Sequence, residues 1–395
     1  MEAFNISPDL LCLQEEGFSF RHTLHKIPES SGAEFKTAAF CQNILKQCGY
    51  TITTYEGFTG FIANLQAPSA NAPTIAIRAD MDALEMPDLT QNEHTSTHQG
   101  LAHNCGHDLH MAIALLSALY ISKHAQKLTC NVRLIFQMAE EKTHIPGADK
   151  MVELGCMNEV DEVYALHNNA ALDYGSIEIK EGVMSSYGSI WQLDIKGKAA
   201  HSSTPHLGLD ALREGVRIVA DMDYIISKCI NPFHTAVFSC GSFHSGTIAN
   251  GVADSAILKG SLRAMDKQSD EILKNALKNI ESQSAIRGFD SHFSFHSYPA
   301  IINHPLCVQK LLKAAKSVLK NHSMITYPCS PMSASEDFSH MINAAPQNKG
   351  AMYFLGSGNA QKGICNYLHS NPYYVEDKAI LIGAQIWINL IFGNE

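Results

Sequence analysis

Between Ala33 and Leu166, stretches with apolar residues at helical spacing alternate with short runs rich in β-branched residues, and that alternation restricts the chain to α/β architectures. The spacing predicts a helix over 33–48 that stops at Gly49, strands at 50–54 and 74–78, a helix over 106–122, a strand at 131–136, a short helix at 147–154 and a strand at 162–166. This order suits a mixed, mostly parallel sheet with helices on both faces. In such sheets ligands bind beyond the carboxyl ends of the strands, so the residues that follow each strand carry extra weight.

From about Gly182 to Ser297 the pattern changes. A strand at 189–196, a helix over 208–226, strands at 235–243 and 253–264, a helix over 270–284 and a strand at 292–296 give the order βαββαβ, the ferredoxin-like arrangement. The expected organisation is therefore a catalytic domain of residues 1–182 and 298–395, interrupted by an inserted lid or dimerisation domain of residues 183–297. Glu181 to Tyr187 and Tyr298 to His304 are the candidate linkers. After the insertion the α/β pattern resumes, with helices expected at 305–320 and 376–390 and a strand at 351–355.

Composition removes several classes of function. Charged residues make up 17% of the 395, below the roughly 25% of ordinary soluble domains, while 45% are hydrophobic, which excludes a solvated, disordered chain. The net charge of −10 offers no footprint for nucleic acid or an anionic membrane. The 11 scattered cysteines contain no CxxC pair and read as the usage of a reducing compartment. The N-terminus lacks the basic and apolar regions of a secretory signal, so a cytoplasmic location is expected. The most apolar segment, Ala379 to Phe392, is interrupted by Gln385 and Asn389 and reads as a core helix. The unusual count is histidine, 20 in all, and it calls for a chemical explanation.

Several segments could supply one. Ile75 to Asp82 is an apolar strand ending in Asp80 and Asp82, which at i and i+2 share one side; a metal site and a solvated turn both accommodate them. His103-Asn-Cys-Gly-His-Asp-Leu-His110 is denser: Gly106 lets the backbone aim the Cys105 thiolate and the His107 imidazole at one point, and partner-free histidines are costly to bury. Leu134 to Glu141 is another strand running into acids. The adjacent Glu140 and Glu141 point different ways, so one could hold a cation while the other takes a proton from water; a helix N-terminus decorated with glutamates is the competing reading. His167 follows Val163-Tyr-Ala-Leu, and His369 lies in Tyr367-Leu-His-Ser-Asn-Pro372.

The strings Arg78-Ala-Asp-Met-Asp-Ala-Leu84, His103 to His110, Ala139-Glu-Glu141, Ala165-Leu-His167, Gly197-Lys-Ala-Ala-His201, Ser335-Glu-Asp-Phe338 and Leu368-His-Ser370 occur in the order of the M20 metallopeptidase superfamily. They resemble most its amidohydrolase branch, with N-acyl-amino-acid amidohydrolases, hippurate hydrolases and auxin-conjugate hydrolases. The resemblance runs nearly end to end. It implies two divalent metal ions per subunit held by Cys105, His107, Glu141, His167 and His369, with Glu140 as general base. Asp80 and Asp82 would orient the ligands, and His201 would reach a partner subunit's site to help hold the oxyanion, so a homodimer is implied. Asn250 and Arg263 resemble substrate-binding positions, an Arg fork being a natural reader of a carboxylate. The ligand types admit zinc, manganese, cobalt or nickel.

The implied reaction is hydrolysis of an N-acyl amino acid, with an acetyl, benzoyl or similar acyl group, to a carboxylic acid and an amino acid. A dipeptidase or aminopeptidase on the same two-metal site is the alternative, followed by an inactive metal-binding scaffold. This chain departs from the pattern at a longer run, Lys142-Thr-His-Ile-Pro-Gly147, at an inserted Glu85-Met86, and at Ala334 in place of a glycine. These loops would line the pocket mouth and bear on specificity.

Overall fold

The computed structural model describes residues 3–142 and 144–393. The chain divides into two compact units. The first ends at Met184 and resumes over Ile302–Ser330 and from Asp337 onward; the second comprises Ser185–Ile301 and Pro331–Glu336. The return of Pro331–Glu336 to the second unit has no signal in composition.

The first unit is built on an eight-stranded sheet. Its strands run, in spatial order, Thr51–Thr54, Phe61–Leu65, Asn131–Gln137, Thr74–Asp80, Glu162–Asp173, Gly350–Gly358, Ile177–Glu178 and Ile325–Thr326. The four central strands, Asn131–Gln137 to Gly350–Gly358, pair in parallel, and antiparallel pairs flank them. Thr74–Asp80 is buried along its whole length, as expected for an inner strand covered on both faces. Successive side chains of a strand point to opposite faces. Gly350 lies against Ile342 of the helix Ser339–Ala344, whereas Leu355, of opposite parity, meets Gly383 of the helix Lys378–Phe392, so helices cover both sides. The helix His107–Lys123 packs with Lys378–Phe392 and Gln14–Lys26 and is buried almost all round, the signature of a core helix. Among the described residues no helix is long and apolar enough to cross a membrane.

Two expectations change here. The strand expected to end before His167 continues from Glu162 to Asp173, so His167 lies inside it; its central position between two parallel neighbours extends pairing past the apolar run. The expected linkers are not plain coil: Gly182–Val183 pairs antiparallel with Ile302–Asn303.

The second unit contains, in chain order, the strand Tyr187–Lys196, the helix Ala211–Cys229, the strands Ala236–Ser245 and Ser255–Ala264, the helix Lys267–Ile286 and the strand Asp290–Tyr298. The four strands form an antiparallel sheet in which Tyr187–Lys196 and Ser255–Ala264 are central, the ferredoxin-like order. Trp191, Leu193 and Ile195 face Ile218, Met222, Leu273 and Leu277 in one core, while the alternate residues Ile190, Gln192 and Asp194 are not buried. Asp210 and Asp266 cap the two helices through the backbone N–H groups of Arg213 and Ser269.

Candidate active site

Five segments of the first unit that sequence keeps apart meet at the carboxyl end of its parallel strands. Thr74–Asp80 delivers Asp80 and, just past it, Asp82, both with no exposed surface, so the solvated-turn reading of this pair does not hold. The turn before the helix His107–Lys123 delivers Cys105 and His107. Gly106 makes it possible: it caps that helix with φ of +87°. Beyond Gln137 the chain reaches Glu140 and Glu141 through Ala139, which has a left-handed φ of +54°. Glu162–Asp173 delivers His167, and the loop before Lys378–Phe392 delivers His369, its backbone N–H bonded to Asn104 O at 2.9 Å.

The donor atoms cluster tightly. Cys105, His107 and His167 each offer a ligand atom within 4.8 Å of the others, and the same holds for Cys105, Glu141 and His369 and for His107, Glu140 and Glu141. Hydrogen bonds on the far side of the ring set two of the imidazoles. His107 Nδ1 donates to the carbonyl oxygen of Asp82 at 2.8 Å, which turns Nε2 toward Glu141 Oε1, 3.7 Å away, as the nitrogen that can bind a metal once its proton is released. His167 Nδ1 donates to the carbonyl of Asn168 at 2.8 Å and turns Nε2 toward Cys105 Sγ, 3.5 Å away. His369 Nε2 lies 3.4 Å from Glu141 Oε1.

The buried atoms His107 Nε2, Glu141 Oε1 and Asp82 Oδ1 have no hydrogen-bond partner. Burying such atoms without partners is costly, and two of them, His107 Nε2 and Glu141 Oε1, lie among a thiol and two further imidazoles, a donor set that a pair of divalent cations would satisfy. Electrostatics agree. Burial pushes the His107 imidazolium down, but Asp80, Asp82 and Glu141 outweigh it and raise its pKa to about 10. The cluster thus holds a proton where a metal cation fits. Burial, then Glu141 and Glu140, push the Cys105 thiol well above its ordinary value, as expected for a thiol awaiting a metal in acidic surroundings.

A second layer fixes the carboxylates. Burial opposes ionisation of Asp80, but Arg78, His107 and His110 hold it well below the usual range. Arg78 donates to Asp80 Oδ2 at 2.6 Å, to Gln137 Oε1 at 2.7 Å and to Asp337 Oδ1 at 3.2 Å. His110 Nδ1 meets Asp80 Oδ1 at 2.6 Å, and the Asn168 N–H donates to His110 Nε2 at 2.9 Å. Asn168 Nδ2 reaches the Tyr373 hydroxyl at 2.6 Å, four residues past His369. Asp82 Oδ2 accepts from Ser31 Oγ at 2.6 Å and from the Glu141 N–H at 2.9 Å. Sequence reasoning gave no role to Arg78, Asn168, Ser31 or Asp337. Asp337 sits in the Ser335-Glu-Asp-Phe338 string, which was a usable signal; Ser31 has none short of the fold.

The remaining candidates belong to the second unit. His201 lies in Ala200–His201, paired with Gly251–Val252, and the Ser202 N–H donates to the Asn250 carbonyl at 3.0 Å, so His201 and Asn250 are neighbours there. The Ser203 N–H donates to the exposed His201 Nδ1 at 3.1 Å, which leaves the proton on Nε2. Arg263 is half-buried and donates to Ser335 Oγ at 2.5 Å. Two departures from the family pattern meet in the first unit, where the Lys142 ammonium pairs with the Glu85 carboxylate.

The model of Peptidase family M20/M25/M40 matches residues 76–392, a span that includes every donor of the cluster. The chain belongs to this family. Among its relatives, the N-acetyl-L-cysteine deacetylase of Bacillus subtilis is 30% identical over 96% of this chain and 88% of its own length. The thermostable carboxypeptidase 1 of Saccharolobus solfataricus is 29% identical over 92% of this chain and 91% of its own. Of solved structures, the Bacillus subtilis YXEP protein, a dinuclear metal binding peptidase from M20 family, matches with a TM-score of 0.80 and 25% identity over 97% of this chain and 98% of that one. The protein is a metal-dependent amidohydrolase of the M20 family.

Proposed function

We propose that the protein hydrolyses the amide bond of N-acyl amino acids, with an acetyl, benzoyl or similar acyl group, releasing a carboxylic acid and an amino acid. The observation that carries this reading is the convergence of the Cys105, His107, Glu141, His167 and His369 donors beside Glu140. Two divalent ions, of zinc, manganese, cobalt or nickel, would supply Lewis acidity there, polarising the scissile carbonyl and acidifying water.

The chain's own groups do the rest. Cys105, His107, Glu141, His167 and His369 are the ligands, and Asp80 and Asp82 orient them. Glu140 takes the proton of the attacking water and passes it to the leaving nitrogen. Arg263 and Asn250 bind the substrate, Arg263 through its carboxylate. The inserted unit, residues 183–297 by the sequence reading, forms the homodimer, and the Nε2–H of His201 donates to the oxyanion formed in the partner's site. A cytoplasmic location accords with 11 free cysteines.

The carboxypeptidase relative favours a second reading, cleavage of short peptides at the same centre. A dipeptidase must anchor a free ammonium. Of the two carboxylates considered for that, Glu85 is paired with Lys142 and Glu336 is buried, which favours a neutral acyl group. The test is a hydrolysis panel of hippurate, N-acetyl amino acids, N-blocked dipeptides and free dipeptides, with each metal restored to the stripped protein. Turnover of acyl amino acids above free dipeptides supports the proposal; the reverse order overturns it.

A further inference from the structure

The segment Glu29–Glu34 contributes no donor to the metal cluster, yet its Glu34 bonds the backbone just before Glu140, and its Ser31 holds the Asp82 carboxylate that bonds the backbone just after it. Glu34 has no exposed surface. Its Oε1 accepts the backbone N–H of Ala139 at 2.9 Å and that of Gly32 at 2.8 Å, and its Oε2 accepts the Thr59 hydroxyl. Ala139 is the residue with φ of +54°, a conformation that a side chain with Cβ adopts only when the surroundings impose it. Directly after Glu140, the Glu141 N–H donates to Asp82 Oδ2 at 2.9 Å, an oxygen that Ser31 also holds at 2.6 Å. The N–H groups flanking Glu140 are thus both taken by buried carboxylates, and Ser31 and Glu34 come from one loop.

We infer that Glu34 is a positioning residue for Glu140: by accepting the Ala139 N–H it imposes the left-handed turn that aims the Glu140 carboxylate into the cluster. This rests on the assignment of Glu140 as the general base. Without the acceptor, Ala139 relaxes toward negative φ, where its Cβ is unstrained, and the chain beyond it rotates. Asp82 still holds the Glu141 N–H, so the ligand carboxylate stays near its place while Glu140 swings away. Glu34 carries no proton in the reaction and binds no metal.

Glycine adopts positive φ without strain, so Ala139→Gly removes the need for an imposed turn. In Glu34→Ala, kcat should fall roughly 10- to 100-fold, as a displaced catalytic group predicts, with KM and metal content per subunit held. Adding Ala139→Gly should restore at least about tenfold of that loss relative to Ala139→Gly alone, since the turn no longer needs imposing. Glu34→Gln keeps an oxygen for the Ala139 N–H and should retain kcat within about threefold. If Glu34→Ala does not fold, Glu34→Asp, whose carboxylate is withdrawn by one methylene, serves in the same comparison. Unchanged kcat in the alanine or aspartate variant overturns the inference, and so does a loss that Ala139→Gly fails to recover or that tracks metal content. The base assignment is tested separately by Glu140→Gln: full turnover there removes the general base, whatever the Glu34 variants do.

Discussion

The side-chain amide of Asn168 occupies the space that a Cβ on Gly106 would need: built on the backbone, that atom would fall 2.3 Å from Asn168 Oδ1. Gly106 separates Cys105 from His107, and Asn168 follows His167, so one close packing contact sets the spacing of three candidate donors. A glycine that sequence reasoning assigned to backbone freedom alone is required twice, for its φ and for the approach of Asn168.

Gly106→Ala should therefore lose metal and stability together. A left-handed Cβ and a steric overlap with a buried amide cost about 2 kcal/mol or more. Elemental analysis and thermal melts of the purified variant check this; full metal occupancy with an unchanged melting temperature contradicts it.

Glu140→Gln separates binding from chemistry. The amide cannot take a proton from water, so turnover should fall roughly 100- to 10,000-fold. The five donors are untouched, so metal content should remain that of the parent. Cys105→Ala should behave in the opposite order, with metal content falling first. Turnover and metal content measured on the same preparations distinguish the two.

Metal uptake should release protons near neutral pH. His107, raised to about 10 in the metal-free protein by nearby carboxylates that outweigh burial, is protonated at pH 7, and so is the Cys105 thiol, pushed up by burial. Affinity should accordingly strengthen as pH rises from 6 to 8, and calorimetry in buffers of different ionisation enthalpy should report the released protons. The same shifts give a sign for stability. A folded-state value above the unfolded one contributes stability below the unfolded pKa and loses it as pH rises. The stripped protein should therefore weaken as pH rises from about 6.5 through 10. Denaturant melts of the apo form across that range check it.

Asp377 should shape the acid limb of stability. Burial opposes its ionisation, but the Arg21 guanidinium, 2.5 Å away, and the His22 imidazole lower it to about 2. The pair thus contributes about 2 kcal/mol above the ordinary carboxylate range, which is lost as pH falls from about 4 toward 2. Asp377→Asn should lose that amount at pH 7 and flatten the acid limb. Urea melts at pH 7 and at pH 3 make the comparison.

Helices with an apolar stripe, such as Phe35–Gln47 and Pro305–Val318, were legible to within a few residues because burial and hydrophobicity coincide there. Gln14–Lys26 was not. Its buried positions, Gly17, Arg21, Leu24 and His25, have helical spacing, but two of them are ionisable, and the partners Asp88, Asp108 and Asp377 make their burial tolerable. Hydropathy cannot reveal a buried face whose polarity is offset by residues far along the chain. The same reason hid Ser31, Glu34 and Asn168, whose importance lies wholly in what they touch.

The amino-acid order by itself determined the fold class, the βαββαβ order of the second unit and the chemical types of the candidate donors, because periodicity is a local property and chemical type is written in each residue. Only the tertiary structure decided that Asp80 and Asp82 are buried, that His167 lies within its strand, which nitrogen of His107 and His167 faces the cluster, and that Glu34 meets Ala139. Those are long-range relations, set when buried polar groups must find partners across the fold, and no window along the sequence contains them.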